Sequence, residues 1–340
     1  MRLGLALPHY DTSFAGQPAA WESLKRVATV AEQSGFDSLW VSDHLFLDWG
    51  KYGGPDTRQG SFECWSTMTV LAAVTSKVRI GSLTLCNDLR NPGLLAKMAA
   101  SLDLLSGGRL DIGMGAGWYE PEYQAAGIPF DRPRTRIDRL GEAAEIVREL
   151  LSGEELTFKG RYFTFDGAVC RPRPKQQPHP PIWIGGKGDR LLRTVARVAD
   201  GWNFSWLGSI DTYRERVQAL VKACAGGDRD PNSIRRSVGV YMIAGHDDAD
   251  AMRRYERLVE RTPRGVLRPS DAGAGVSWKE FKARSFSGTI AEASDKLAEL
   301  KTLGVQEVVV SVGALPFQVS DLEDVELIGT EIGPGIRDGG

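Results

Sequence analysis

The sequence predicts an α/β fold, a (β/α)8 TIM barrel with insertions, and three observations predict it. Eight short runs rich in Val, Ile and Leu recur along the chain, as expected of strands buried on both faces of a parallel sheet. Helical periodicities separate them, and that alternation marks strands joined by crossover helices. Glycine is enriched, 39 of 340 residues, without a Gly-X-Y period, so it belongs to turns and close backbone approaches. The count of eight favours closure into a barrel, with a doubly wound open sheet as the alternative. Such a barrel fills ~250 residues or more as one domain. Residues 1–340 therefore read as a single domain, with a polar, glycine-ended, mobile tail from about Glu326.

The elements follow in order. Leu3–Leu7 is the first strand. Its helix carries Pro18 in the first turn, an apolar face of Trp21, Leu24, Val27, Ala28 and Ala31, and Gly35 as the stop. Ser38–Ser42 is the second strand, followed by a Gly- and Pro-bearing loop over Phe46–Phe62. Val78–Leu85 is the third, and its helix shows Leu94, Leu95, Met98, Leu102 and Leu105 before Gly107 and Gly108. Leu110–Met114 precedes a stripe of Ile137, Leu140, Ala144, Val147 and Leu151. Within Glu154–Arg171, the run Arg161–Phe165 reads as a small hairpin before strand five. Ile182–Ile184 and Trp202–Ser205 follow, with stripes at Leu191, Leu192, Val195 and Ala199, then Tyr213, Val217, Leu220 and Cys224. After Val238–Ile243 comes a long connection, Gly245–Gly288, with a helix and then a loop holding Pro263, Pro269, Gly273 and Gly275. Thr289 and Glu292 form a capping box ahead of Ile290, Ala293, Leu297 and Leu300, and Val308–Val312 is the last strand. The stripes are core faces. The loops after strands two and seven leave strand C-termini, where a barrel builds its active site, so they are lid candidates.

Composition excludes several functions. Lys and Arg number 42 against 44 Asp and Glu, a net charge of −2, without the basic excess of a nucleic-acid binder. No run approaches ~18 uninterrupted apolar residues, the length a membrane span needs. Met1–Pro8 lacks the h-region and cleavage site of a signal peptide. Cys64, Cys86, Cys170 and Cys224 show no CxxC spacing, which suits reduced thiols. These features lead us to expect a cytoplasmic enzyme. A metal site pairing His9 with His44 falls short of the three protein ligands of a catalytic zinc. A glycosidase needs two facing carboxylates; Glu120 and Glu122 follow strand four, but strand seven ends in Met242-Ile243-Ala244.

Barrel geometry directs attention to the strand C-termini. There stand His9, Asp43 and His44, Asn87 and Arg90, then Gly115, Gly117 and Trp118, then Gly185, Gly186, Lys187 and Gly188, and Asn203 with Trp206. His44 is a proton carrier that Asp43 could orient. Gly185–Gly188 is either a tight turn or an anion site at a helix start. It is not a Walker A loop, and Gly113-x-Gly115-x-Gly117 misses the dinucleotide fingerprint by one residue. Instead, that triplet suits a strand end where a flat cofactor approaches the backbone. Arg132, Arg134 and Arg136 read as a solvated helix start, with an anion site as the alternative, and Cys86 as packing.

Taken jointly, these motifs resemble the luciferase-like flavin and deazaflavin oxidoreductases. The resemblance rests on Gly35 through His44, Asn91-Pro92 through Leu110, Gly113-x-Gly115-x-Gly117-Trp118, Pro180 through Gly186, Ala199 through Asn203, and Gly288-Thr289 through Val305. It covers nearly the whole chain and is greatest to the branch using coenzyme F420, with FMN as the alternative cofactor. It implies a homodimeric barrel with a small-molecule substrate, the deazaflavin ring lying over the strand ends. Asp43 and His44 would flank the ring, together with Gly115, Gly117 and Trp118. A non-proline cis peptide would fall near Leu83-Thr84, Asn87 would contact the cofactor, and Gly185, Gly186, Lys187 and Gly188 would take its phosphate. Sugar-phosphate-oxidising members place a glutamate directly after the strand-four glycines. Trp118 holds that place here and Glu120, the candidate acid, comes two residues later. The implied activity is hydride transfer between deazaflavin C5 and a small organic substrate. An FMN-dependent monooxygenase and a non-catalytic cofactor carrier are the alternatives.

Overall fold

The computed structural model describes residues 1–267 and 276–338. Eight strands close into a ring: β1 (Arg2–Ala6), β2 (Ser38–Val41), β3 (Arg79–Ser82), β4 (Leu110–Gly115), β5 (Ile182–Gly185), β6 (Gly201–Phe204), β7 (Arg235–Tyr241) and β8 (Glu307–Ser311). Each pairs in parallel with the next, and β8 returns to β1. Closure removes the sheet edges, so the expected barrel is the observed one and the open sheet is excluded.

The crossover helices are α1 (Trp21–Gln33), α2 (Cys64–Val74), α3 (Pro92–Leu105), α4 (Pro133–Ser152), α5 (Asp189–Val198), α6 (Ile210–Ala225), α7 (Asp248–Arg261) and α8 (Ile290–Thr302). Their apolar stripes meet the outer face of the strands in one continuous core. The Thr289–Glu292 capping box is formed in both directions. Pro18 lies outside its predicted first turn, because α1 begins only at Trp21 behind Ala20. No described helix is long and apolar enough to cross a membrane.

A second core fills the barrel itself. Trp40 and Trp183 meet edge to face, 6.1 Å between centroids. Each buries ~150–250 Å², roughly 4–6 kcal/mol of apolar transfer. A Cβ at Gly81 would stand 2.4 Å from Trp40, and one at Gly201 2.1 Å from Trp183, so part of the glycine excess makes room for these two rings. Beneath them, Trp40 donates to Glu307 and Trp183 to Asp111. Arg2 and Arg79 neutralise those two carboxylates, each at 2.5 Å. This floor closes the N-terminal end and leaves the opposite mouth for chemistry.

The insertions are more ordered than the sequence implies. After β2, Phe46–Asp48 pairs antiparallel with Arg58–Gly60 around a 3₁₀ turn, Trp49–Tyr52. The expected hairpin before β5 is Leu156–Lys159 against Thr164–Ala168. In the long connection, Trp278–Arg284 forms a short helix with its own capping box; Pro269, Gly273 and Gly275 lie outside the described residues. The C-terminal segment is not a free polar tail. It is helical from Leu322 to Asp338, because Val325, Ile328, Ile332 and Ile336 recur at helical spacing and are buried.

Candidate active site

The C-terminal mouth holds a cavity of about 270 Å³, near the lower end for ligand clefts, ~300 Å³. A larger groove of about 780 Å³ lies on the barrel wall between α5 and α6, but it holds no histidine or other group suited to neutral-pH proton transfer. The mouth divides into a polar arc from β2 to β4, a glycine arc over β4 and β5, and an aromatic arc from β6 round to β1.

The polar arc begins where β2 ends. Asp43 is buried, and both its oxygens are taken: Arg90 donates to them at 2.5 and 3.1 Å, and the Cys86 amide at 2.9 Å. Arg90 reaches on to Glu63 at 2.5 Å, and these carboxylates push its pKa up against the cost of burial. Asp43 therefore anchors the β2 and β3 loops and does not orient His44. That task falls to Glu122, whose carboxylate accepts from His44 Nδ1 at 2.9 Å and from the Leu45 amide at 3.0 Å. Glu122 is only 1% exposed, so the pair is held away from water. A carboxylate only accepts, which places the imidazole hydrogen on Nδ1. His44 lines the cavity, its Nε2 has no protein partner among the described residues, and Trp118 stands edge-on to the ring at 5.3 Å. Lys51 lies over Trp118 at 3.4 Å at the outer rim.

The glycine arc surrounds Leu83 and Thr84, joined by the expected cis peptide. A Cβ at Gly113 would stand 1.8 Å from the Ser82 carbonyl, one at Gly115 2.3 Å from Thr84 Oγ1, and one at Gly185 2.7 Å from its methyl. These glycines make room for the Ser82 carbonyl and the Thr84 side chain, and Leu83 and Thr84, with Gly185 and Gly186, form one cavity wall. Gly117 has φ 71° and approaches the Tyr123 hydroxyl, which carries the chain from β4 into the Glu120–Ala125 helix that bears Glu122.

The aromatic arc is continuous. Tyr52, Trp49, Tyr10, Phe317, Trp206 and Tyr241 follow one another at centroid separations of 5.2 to 6.4 Å. Behind Tyr10 lies a buried chain: its hydroxyl is 2.5 Å from Ser42 Oγ, which is 3.0 Å from His9 Nε2, and His9 Nδ1 is 2.8 Å from the Leu7 carbonyl. Burial pushes the His9 pKa down to about 4.

Of the expected residues, Asp43, His44, Leu83, Thr84, Gly117, Trp118, Gly185 and Gly186 line this one cavity. Glu120 does not; it is exposed and, among the described residues, accepts from Gln124 alone, because the helix turns Glu122 inward two residues later. Asn87 is buried beside Asp88, Gly115 packs under Thr84, and Lys187 donates to the Trp206 carbonyl over the Phe204 ring. Gly188 caps the start of α5 with open space around it. Arg136, expected to be solvated, is buried and donates to the Ala116 carbonyl at 3.2 Å. Cys86 packs as expected, burial pushing its thiol to about 12. No described His, Cys, Asp and Glu residues cluster as metal ligands.

The family model for luciferase-like monooxygenases matches residues 1–310. An F420-dependent glucose-6-phosphate dehydrogenase of Kineococcus radiotolerans is 32% identical over 66% of this chain and 65% of its own, so the match spans just under two thirds of that relative. An F420-dependent hydroxymycolic acid dehydrogenase of Mycobacterium tuberculosis is 29% identical over 91% of this chain and 83% of its own. Among solved structures, an F420-dependent secondary alcohol dehydrogenase in complex with an F420-acetone adduct superposes with a TM-score of 0.74 at 21% identity, covering 99% of both chains.

Proposed function

Because the chain belongs to the luciferase-like monooxygenase family and is an oxidoreductase, we propose that it is an F420-dependent member transferring a hydride between deazaflavin C5 and a small organic substrate. The observation that carries this reading is the His44–Glu122 pair beside a flat, glycine-lined wall. Leu83, Thr84, Gly185 and Gly186 would hold the ring, and the turn opening α5 would take the phosphate through the Lys187 and Gly188 amides, since the Gly186 amide already donates to the Asn203 carbonyl. Placing the phosphate at β5 rests on resemblance, since barrel phosphate sites more often use later loops. The deazaflavin, when bound, supplies the hydride acceptor or donor.

The protein manages the proton. His44 Nε2 accepts the proton that leaves an oxidised substrate, or returns it in the reverse direction. Glu122 keeps the imidazole in the right tautomer and offsets its charge once protonated. Asp43 and Arg90 hold the loop that carries His44. The aromatic arc excludes water from the substrate side.

The reading includes a homodimer. Val70, Leu94, Leu104 and Leu105 are large apolar side chains exposed on α2 and α3, which supports pairing of two copies through that face; sedimentation velocity tests it. The function is tested by titrating the purified protein with F420 and with FMN, followed by the absorbance of each ring. F420 should bind at micromolar levels, and FMN more weakly. Tight binding of FMN alone, with oxygen consumption, would replace this reading by a monooxygenase.

A further inference from the structure

We infer that the substrate is an uncharged alcohol carrying a second hydroxyl one or two carbons from the reacting one, and that Tyr10 is the residue that selects for it. The inference rests on the function proposed above and deepens it.

The argument starts at a carbonyl. The Leu7 oxygen can only accept, so His9 Nδ1 donates to it at 2.8 Å. Burial keeps His9 neutral, so its one hydrogen is spent there and Nε2 is an acceptor. Ser42 must then donate to Nε2 across 3.0 Å. With its hydrogen so used, Ser42 Oγ accepts from Tyr10 across 2.5 Å. Each link fixes the next, and the chain ends with a Tyr10 oxygen whose hydrogen points inward. Tyr10 lines the cavity although it is only 1% exposed, and no described protein group uses the remaining lone pair of its hydroxyl.

In its neutral form His44 offers a second acceptor, Nε2, because Glu122 takes the Nδ1 hydrogen. The His44 and Tyr10 rings are 6.4 Å apart, centre to centre, and both residues line the same small cavity. One hydroxyl has one hydrogen and cannot serve both fully. Two neighbouring hydroxyls do: the first donates to His44 Nε2 and loses its proton as its carbon gives up a hydride to the deazaflavin, and the second donates to Tyr10. The products are a hydroxyketone, the reduced deazaflavin and a protonated His44, so electrons and protons balance.

The rest of the wall argues for an uncharged body. Phe317 and Trp206 continue from Tyr10 as one apolar surface. Arg90 is held between Asp43 and Glu63 and offers no free cation to the cavity. Among the described lining residues, Lys51 is the one cation not held by a carboxylate, and it is engaged with Trp118 at the outer rim.

The test compares trans-1,2-cyclohexanediol, cyclohexanol and glucose 6-phosphate, measuring KM with F420 and binding heats by calorimetry with and without F420. The diol should be favoured over cyclohexanol about tenfold, the value of one added neutral hydrogen bond. Tyr10→Phe, which retains the ring, should bring the two to parity by raising KM for the diol and not for cyclohexanol. Ser42→Ala frees the Tyr10 hydrogen to donate, and should strengthen binding of cyclohexanone. Equal binding of diol and monoalcohol, a preference that survives Tyr10→Phe, or tighter binding of glucose 6-phosphate would each overturn the inference. Failure to bind F420 would instead remove the proposed function. The diol preference read by calorimetry on the protein alone would then still decide the role of Tyr10.

Discussion

His44 Nδ1 and Glu122 Oε1 stand 2.9 Å apart, and they bring together two segments 78 residues apart in the chain. The Leu45 amide binds the other Glu122 oxygen, so the carboxylate cannot turn away from the imidazole without losing a backbone partner. This relationship gives the site a base with a defined direction.

Glu122→Gln should therefore lower kcat by about 10²-fold, within the range for positioned proton transfer, while F420 affinity stays close to that of the parent. His44→Gln should cost at least as much. Because the two act as a unit, the double variant should be little worse than His44→Gln alone. Additive losses in steady-state kinetics would show that Glu122 acts elsewhere.

Arg90 and Asp43 form a nearly buried pair, with side chains 12% and 3% exposed. Removing one partner of such a pair leaves an uncompensated charge, at a cost of about 3–5 kcal/mol. Arg90→Met should show a loss of that order in the urea midpoint and a weaker hold on the loop bearing His44. A midpoint within ~0.5 kcal/mol of the parent, the range of an ordinary surface change, would mean the ion pair anchors nothing.

Much of this arrangement was legible in the sequence because it depends on short-range pattern. The eight strands follow from apolar runs, and Asp43, His44 and the glycine clusters from their places at strand ends. Glu122 was visible only as one of two acids after β4. Which one turns inward depends on Gly117 at positive φ and on the first turn of the following helix, and spacing along the chain does not encode that. The same limit applies to Tyr10 and Ser42, which are 32 residues apart and become a relay only when β1 and β2 pair. The C-terminal helix escapes the sequence reading because its glycines and charges interrupt the apolar stripe of Val325, Ile328, Ile332 and Ile336.

His9 ties acid stability to the relay. Its imidazole titrates near 6.5 when free and near 4 when buried. Between those values the unfolded chain binds a proton that the folded protein refuses, so stability falls as pH drops from about 6.5 to about 4 and levels off below. The full contribution is about 3 kcal/mol. His9→Gln should make the acid limb of Tm against pH shallower in that window. An unchanged slope would show that other groups carry the acid sensitivity.

Two glycines separate packing from ligand binding. At Gly113 an added Cβ would meet the Ser82 carbonyl at 1.8 Å, backbone that cannot swing aside. Gly113→Ala should therefore force β3 and β4 apart and cost several kcal/mol, beyond the ~1–3 kcal/mol of ordinary overpacking. At Gly188 nothing lies within 4 Å, and φ is −75°, so alanine there leaves the fold alone. If the cofactor phosphate packs against the start of α5, as proposed, Gly188→Ala should keep the parent Tm and weaken F420 about tenfold, some 1.4 kcal/mol. An unchanged F420 affinity would move the phosphate to another strand end, while leaving the His44–Glu122 pair where it is.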